Sequence, residues 1–266
     1  MQLSLKIFVP LCLLFLVLVL SYVAVDPTGL YISTAYLVFP IIAVVAGFRL
    51  SRLYAKSITG GMMTCLSVGI LFWTLGEIFW YVFENLLHID PFPSVADIFF
   101  LLAYIFFIYA LLKEGAIVKK MFGQIRLAHI AVYIIIVSFF VIPISYYGVY
   151  QAYHQGATML ENGIAMAYGI GDLLLVVASS LVLLPLLQSG DGKFARFWIT
   201  VTIGFAFFLL ADILFGIFVE AYNGNVKLYR YIDLLWLAGY FSFAYAFLLH
   251  YDYVTSTREK LKKLMK

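Results

Sequence analysis

Apolar residues come in long runs broken by short clusters of Gly, Pro and charge, and the runs fall at 7–25, 31–50, 59–86, 94–112, 127–150, 163–187, 194–221 and 231–250. Each run can cross a hydrocarbon core of about 30 Å at about 1.5 Å per helical residue. The short alternating segments of a barrel are absent from the pattern, so helices must satisfy the backbone internally. The pattern predicts an all-α, polytopic membrane bundle of about eight transmembrane helices over residues 1–250, with a basic tail at 251–266. Composition agrees, because 65% apolar and 12% charged residues exclude an ordinary soluble domain of 266 residues.

Charge then orients the bundle. Lys6 precedes the first run, and Arg49, Arg52 and Lys56 separate the second from the third. Lys113, Lys119, Lys120 and Arg126 follow the fourth, Lys193 and Arg196 the sixth, and Arg258, Lys260, Lys262, Lys263 and Lys266 form the tail. Only Lys227 and Arg230, of seventeen Lys and Arg, fall on the other side, so the positive-inside rule places both termini in the cytoplasm of a multi-pass cell-membrane protein. The first run also admits a second reading, as a signal peptide cleaved near Ala24, which would leave seven spans. The net charge of +3 belongs to the cytoplasmic loops and tail and points to the anionic lipids of the bilayer, not to nucleic acid. Cys12 and Cys65 lie within runs and have no metal-ligand spacing, and the four His residues form no convincing cofactor set. Metal and cofactor therefore stay open.

A shift of 136 residues lays 96–112 on 232–248, matching Asp97 with Asp233, Leu101 with Leu237, Tyr104 with Tyr240, Phe107 with Phe243, Tyr109 with Tyr245, Ala110 with Ala246 and Leu112 with Leu248. The preceding runs match through Phe72 and Phe208, Phe79 and Phe215, and Glu84 and Glu220. Four spans per copy keep the same orientation, so a parallel 4+4 repeat is expected, with halves about 1–126 and 127–250.

Ten of the fourteen acids lie on or near the external side. An acid facing lipid at mid-membrane costs about 2.5–3.5 kcal/mol, so those within spans should face inward. Trp73, Glu77, Trp80 with Tyr81, Glu84 and His88 recur at three- and four-residue steps, as do Asp212, Gly216 and Glu220, while Asp233, Trp236 and Tyr240 share a face of the last run. Together with Asp172 they predict an outward-open, acidic cavity walled by aromatics. Its ligand-binding set is Glu77, Trp80, Tyr81, Glu84, Asp172, Asp212, Glu220, Asp233 and Trp236, with no catalytic residue. Each acid has an architectural alternative. Asp97 can complete a cap begun by Ser94, and Asp233 can occupy a first helical turn beside Arg230. Asp172, beside the small-residue ladder Gly163, Ala167 and Gly171, can take a hydrogen bond from another helix. The cytoplasmic half is expected to hold no buried charge.

The elements Pro93-Ser94-x-Ala96-Asp97 with Leu101-Leu102-x-Tyr104, Tyr168-x-x-Gly171-Asp172-Leu173-Leu174, Ala211-Asp212 and Asp233-x-x-Trp236-x-x-Gly239-Tyr240 resemble the multi-helix N-terminal sensory modules of bacterial and archaeal diguanylate cyclases and histidine kinases. The resemblance implies an input domain coupled through its last helix to cytoplasmic output, here with no output domain after the tail. The expected function is a non-enzymatic membrane sensor or receptor-like protein taking a cation, an amine or a proton, working with a cytoplasmic or membrane signalling partner or as a homodimer. A cation- or proton-coupled transporter and a membrane scaffold subunit are the alternatives. No nucleophile–base pair, metal run or phosphate loop favours an enzyme, and no intraspan Lys favours a retinal Schiff base.

Overall fold

The computed structural model describes residues 2–25, 30–122, 157–189, 192–223 and 229–265, with positions 131, 133, 135 and 146. The predicted fifth span at 127–150 is largely outside the described residues, as are Asp26, Arg126, His129, His154 and Lys227. Among the described residues seven helices are long and apolar enough to cross a membrane. They are α1 (Gln2–Val25), α2 (Leu30–Leu53), α3 (Ile58–Tyr81), α4 (Val95–Phe122), α5 (Met159–Ser189), α6 (Gly192–Asn223) and α7 (Asp233–Leu264). The chain is a helical, multi-pass membrane protein.

Local chemistry sets the helix starts. Ser57 accepts from the Gly60 amide at 3.0 Å to begin α3. Ser94 accepts from Ala96 at 3.1 Å while Asp97 accepts from the Ser94 amide at 2.6 Å, which begins α4. Thr158 and Glu161 make a reciprocal exchange at α5, at 2.6 and 3.2 Å, so Glu161 belongs to the helix start. The ends run further than the apolar pattern alone predicts. Residues 251–264, expected as a separate tail, continue α7 without a break, because no Gly or Pro stops it and Lys, Arg, Glu and Leu are good helix formers.

Helices α2 to α7 pack in a closed ring, each against the next and α7 back against α2, with α1 laid outside against α7 and α2. Helix α4 shows how sequence places a helix in it. Ile98, Leu102, Ile105, Tyr109 and Leu112 step by three and four along the exposed face, while Asp97, Tyr104, Phe107, Leu111, Glu114 and Val118 fall on the buried one.

Helix direction follows from the contacts. Phe79 meets Phe99 and Phe72 meets Phe106, so α3 and α4 are antiparallel. Asp97 meets Tyr168, Tyr104 meets Asp172 and Gly115 faces Val182, so α4 and α5 run parallel. Tyr36 meets Asp233 and Tyr54 meets His250, so α2 and α7 are parallel as well.

The ring is filled at mid-height. Trp73 stacks on Phe208 at 4.3 Å and stands edge-on to Phe107 at 4.7 Å, with Phe205, Tyr240 and Phe243 around it. All six are buried, and each aromatic pair adds about 0.5–1.5 kcal/mol beyond area burial. Two glycines admit these rings: a Cβ on Gly239 would stand 2.4 Å from Phe208, and one on Gly69 would stand 2.5 Å from Phe107. The expected small-residue ladder on α5 holds at one rung. A Cβ on Gly171 would meet Tyr104 at 2.7 Å, whereas Gly163 faces nothing within 4 Å.

At the basic end the Tyr54 hydroxyl and His250 Nε2 are 3.0 Å apart, with the rings stacked. The Arg258 guanidinium donates to the Leu53 carbonyl, fastening the extension of α7 to the end of α2.

Candidate functional site

The acids at the other end are joined by hydrogen bonds between helices. Tyr240 on α7 donates to Glu77 Oε1 on α3 at 2.6 Å, and Trp236 Nε1 on α7 donates to Asp212 Oδ1 on α6 at 2.7 Å. Tyr104 on α4 donates to Asp172 Oδ1 on α5 at 2.6 Å, and Tyr168 on α5 returns a bond to Asp97 Oδ1 at 2.6 Å. Asp233 accepts from Tyr22 on α1 and Tyr222 on α6, each at 2.6 Å, and its backbone carbonyl accepts from Tyr36 on α2 at 2.8 Å. Burial, and after it the Asp233 carboxylate, pushes the Tyr222 phenol well above the usual tyrosine range, so this residue past the end of its apolar run remains a donor.

Asp97 and Asp172 therefore do what their architectural readings require: Asp97 caps α4 and Asp172 takes an interhelical bond from Tyr. Both are fully buried, at 1% exposure. Asp172 differs in keeping an unused acceptor, because its Oδ2 has no donor. The Asp172 and Asp212 carboxyls lie within hydrogen-bonding reach of each other, and Asp212 and Glu77 are near enough for their charges to interact. The three carboxyls thus share one region between α3, α6 and α5, where the charges of Glu84 and Asp233 also reach Glu77. Glu77 and Asp212 are hemmed in by protein yet only half-buried by accessible surface, as are groups that line a recess.

For Glu77, Asp97, Asp172 and Asp212 the side-chain donors among the described residues are phenol and indole groups, not ammonium or guanidinium. That choice has a chemical consequence. A neutral donor bonds a carboxylate or a carboxylic acid and does not neutralise it, so the cluster retains capacity for a proton or a small cation. No three His, Cys, Asp or Glu side chains converge as metal ligands among the described residues. A cation here would be held by one or two carboxyls and the faces of Trp and Tyr.

The rest of the predicted set is more peripheral. The α-helical spacing that aligned Glu84 with Glu77 is broken by a π-helical turn at Val82–Leu87, which leaves Glu84 exposed, though its charge still reaches Glu77. Trp80 is half-buried with its ring 6.4 Å from Phe100, and Tyr81 is half-buried where α3 ends. The side chains of Glu220 and Arg230 are outside the described residues.

Sequence reasoning missed two things. Tyr104, Tyr168 and Tyr240 are the donors to the acids, and their positions on the acid-bearing faces were the available signal. Glu114, in the basic half, is 2% exposed, which corrects the expectation that this half holds no buried charge. Its signal was also present, since it falls seven residues after Phe107 on the buried stripe of α4. No known protein family, curated protein or solved structure matches the chain.

Proposed function

We propose that this chain is a non-enzymatic membrane sensor that takes a proton, a small cation or an amine at the Glu77–Asp212–Asp172 cluster and transmits the event through α7. One observation carries the reading. Tyr240 and Trp236, the donors to Glu77 and Asp212, both belong to α7, and α7 runs on for 32 residues into the basic extension. A ligand that competes for those carboxyls releases two bonds to a single helix of about 48 Å. Its differential affinity for the bonded and released states sets how far that helix responds.

Two finer features of the architecture belong to the same proposal. The parallel run of α4 and α5, which enter the bundle from the same side, supports an eighth span and termini on one side. The ring order supports the 4+4 repeat: the neighbour relations of α2, α3 and α4 are those of α5, α6 and α7, and Phe107 meets Phe243, its equivalent at a shift of 136, with centroids 6.5 Å apart. With the positive-inside rule, the acids then face outward and α7 ends in the cytoplasm.

The test is a ligand-dependent thermal shift of the protein in lipid nanodiscs, with protons, sodium and methylammonium as probes. The reading expects at least one probe to shift the transition of the native chain and not that of the E77Q/D172N/D212N variant. An equal shift in both, or no shift by any probe, removes its basis. A proton- or cation-coupled transporter is the second reading, favoured by Glu114, which puts a buried carboxyl on the far side of the aromatic plug. Uptake of a probe into proteoliposomes would decide for it.

A further inference from the structure

Three buried polar atoms in the basic half of the ring lack partners: Glu114 Oε2 on α4, and Trp198 Nε1 and Thr202 Oγ1 on α6. Glu114 and Trp198 are neighbours, and Thr202 is one helical turn from Trp198. The Trp198 indole lies within hydrogen-bonding reach of the Glu114 carboxyl without closing a bond of good geometry. Thr202 follows one turn after Trp198 on the same face of α6. Other helical hydroxyls here, at Thr64, Ser67, Thr74, Thr200 and Ser242, bond back to the carbonyl four residues earlier at 2.7–2.8 Å, and Thr202 does not.

The three atoms are complementary to one guest. Trp198 Nε1 can only donate, an ionised Glu114 can only accept, and Thr202 can do either. A water molecule accepts from the indole and donates to the other two, and buried waters commonly make two to four such bonds. A metal cation fits less well, since the indole N–H points a positive dipole at the site.

We propose that Glu114, Trp198 and Thr202 form a second, inner site that binds a single water, through which Glu114 takes up and releases a proton. In uptake, a proton from solvent at the basic end passes to the bound water as the water gives one of its own to Glu114 Oε2, so the water is neutral before and after; release is the reverse. Around the site, Tyr54, just past the end of α2, is near enough to feel the Glu114 charge, and α7 contributes His250, 3.0 Å from the Tyr54 hydroxyl. Helix α5 contributes the apolar Val182, opposite Gly115, and on α4 and α6 Lys113 and Arg196 are exposed. Asp252, two residues past His250 on α7, is only half-buried and lies near Lys6, so among the described residues Glu114 is the fully buried acid of this level.

The site lies on the basic side of the aromatic plug. Phe107 meets Phe205 at 5.3 Å, and both Glu114 and Trp198 lie seven residues further toward the basic end. Tyr104, which holds Asp172, is ten residues from Glu114, or about 15 Å along α4. The plug of Trp73, Phe107, Phe205, Phe208 and Phe243 stands between the two levels.

Infrared difference spectroscopy of the full chain in nanodiscs, stepped from about pH 5 to about pH 10, tests this. The expected result is a protonated-carboxyl C=O band that titrates, shifts in D2O, and is absent from E114Q. It should remain in E77Q/D172N/D212N, which separates this site from the acidic cluster. W198F and T202V should keep the band and move its frequency, so the proposal stays testable if E114Q does not fold. A spectrum in which E114Q matches the native chain, or in which W198F and T202V leave the band unmoved, overturns it.

Discussion

Replacing Tyr240 by Phe removes one oxygen from the centre of the account and leaves its ring contacts, including the edge-on pair with Phe208 at 4.8 Å, in place. What is lost is the 2.6 Å bond to Glu77. Interhelical bonds of this kind in membranes are worth about 0.6 kcal/mol on average and about 1.7 kcal/mol at most. Glu77 is half-buried, so water can take up part of the released acceptor, and Y240F should cost about 1 kcal/mol. By contrast Y240A, which also deletes the ring, should cost about 3–5 kcal/mol. The decisive form is a double-mutant cycle of Y240F and E77Q, read by steric-trap unfolding in bicelles. A coupling of about 0.6–1.7 kcal/mol is expected. Additivity within about 0.3 kcal/mol would show that the two side chains do not act as a pair and would refute the reasoning.

Glycine substitutions separate close packing from helix propensity: G239A drives a Cβ to 2.4 Å from Phe208, itself stacked on Trp73, and should destabilise by about 1–3 kcal/mol in the same unfolding assay. G216A meets nothing within 4 Å and should be neutral or stabilise by up to about 1 kcal/mol. At Asp97, which accepts from both Ser94 and Tyr168, D97N retains one acceptor and should cost about 1 kcal/mol, and D97A should cost about twice that. Cysteine accessibility at positions 2 and 265 in sealed vesicles should label both from the same side if the chain crosses eight times, and from opposite sides if it crosses seven.

The layout of the bundle was legible because lipid-facing and core-facing positions on a membrane helix differ in chemistry. On α4, the step from Asp97 to Tyr104 to Phe107 marks the inward face and the Ile98 to Leu112 stripe the outward one. The acids of the candidate site were legible for the same reason, since a carboxyl in an apolar run must turn inward. Their partners were not, because a Tyr in such a run serves equally as a ring against lipid, like the exposed Tyr109, or as a donor, like Tyr104. Deciding between them requires knowing which helices meet, and the parallel contact of α4 with α5 joins residues 68 and 71 apart in the chain. Glu84 is turned from the face its spacing predicts for a local reason, the π-helical turn that breaks the register after Tyr81. Glu114 was overlooked because Lys113 beside it reads as the start of a solvated segment, although the two side chains lie 100° apart on a helix and only Glu114 faces the ring.

The central claim is that occupancy of the carboxyl cluster releases α7. Spin labels at Lys120 on α4 and Leu264 on α7, both exposed, report on it through the distance distribution measured by double electron–electron resonance in nanodiscs. A probe which shifts the thermal transition should also shift this distribution in the native background, and E77Q/D212N should abolish the probe response. A bound probe that leaves the distribution unchanged, or a response that survives in E77Q/D212N, would contradict it.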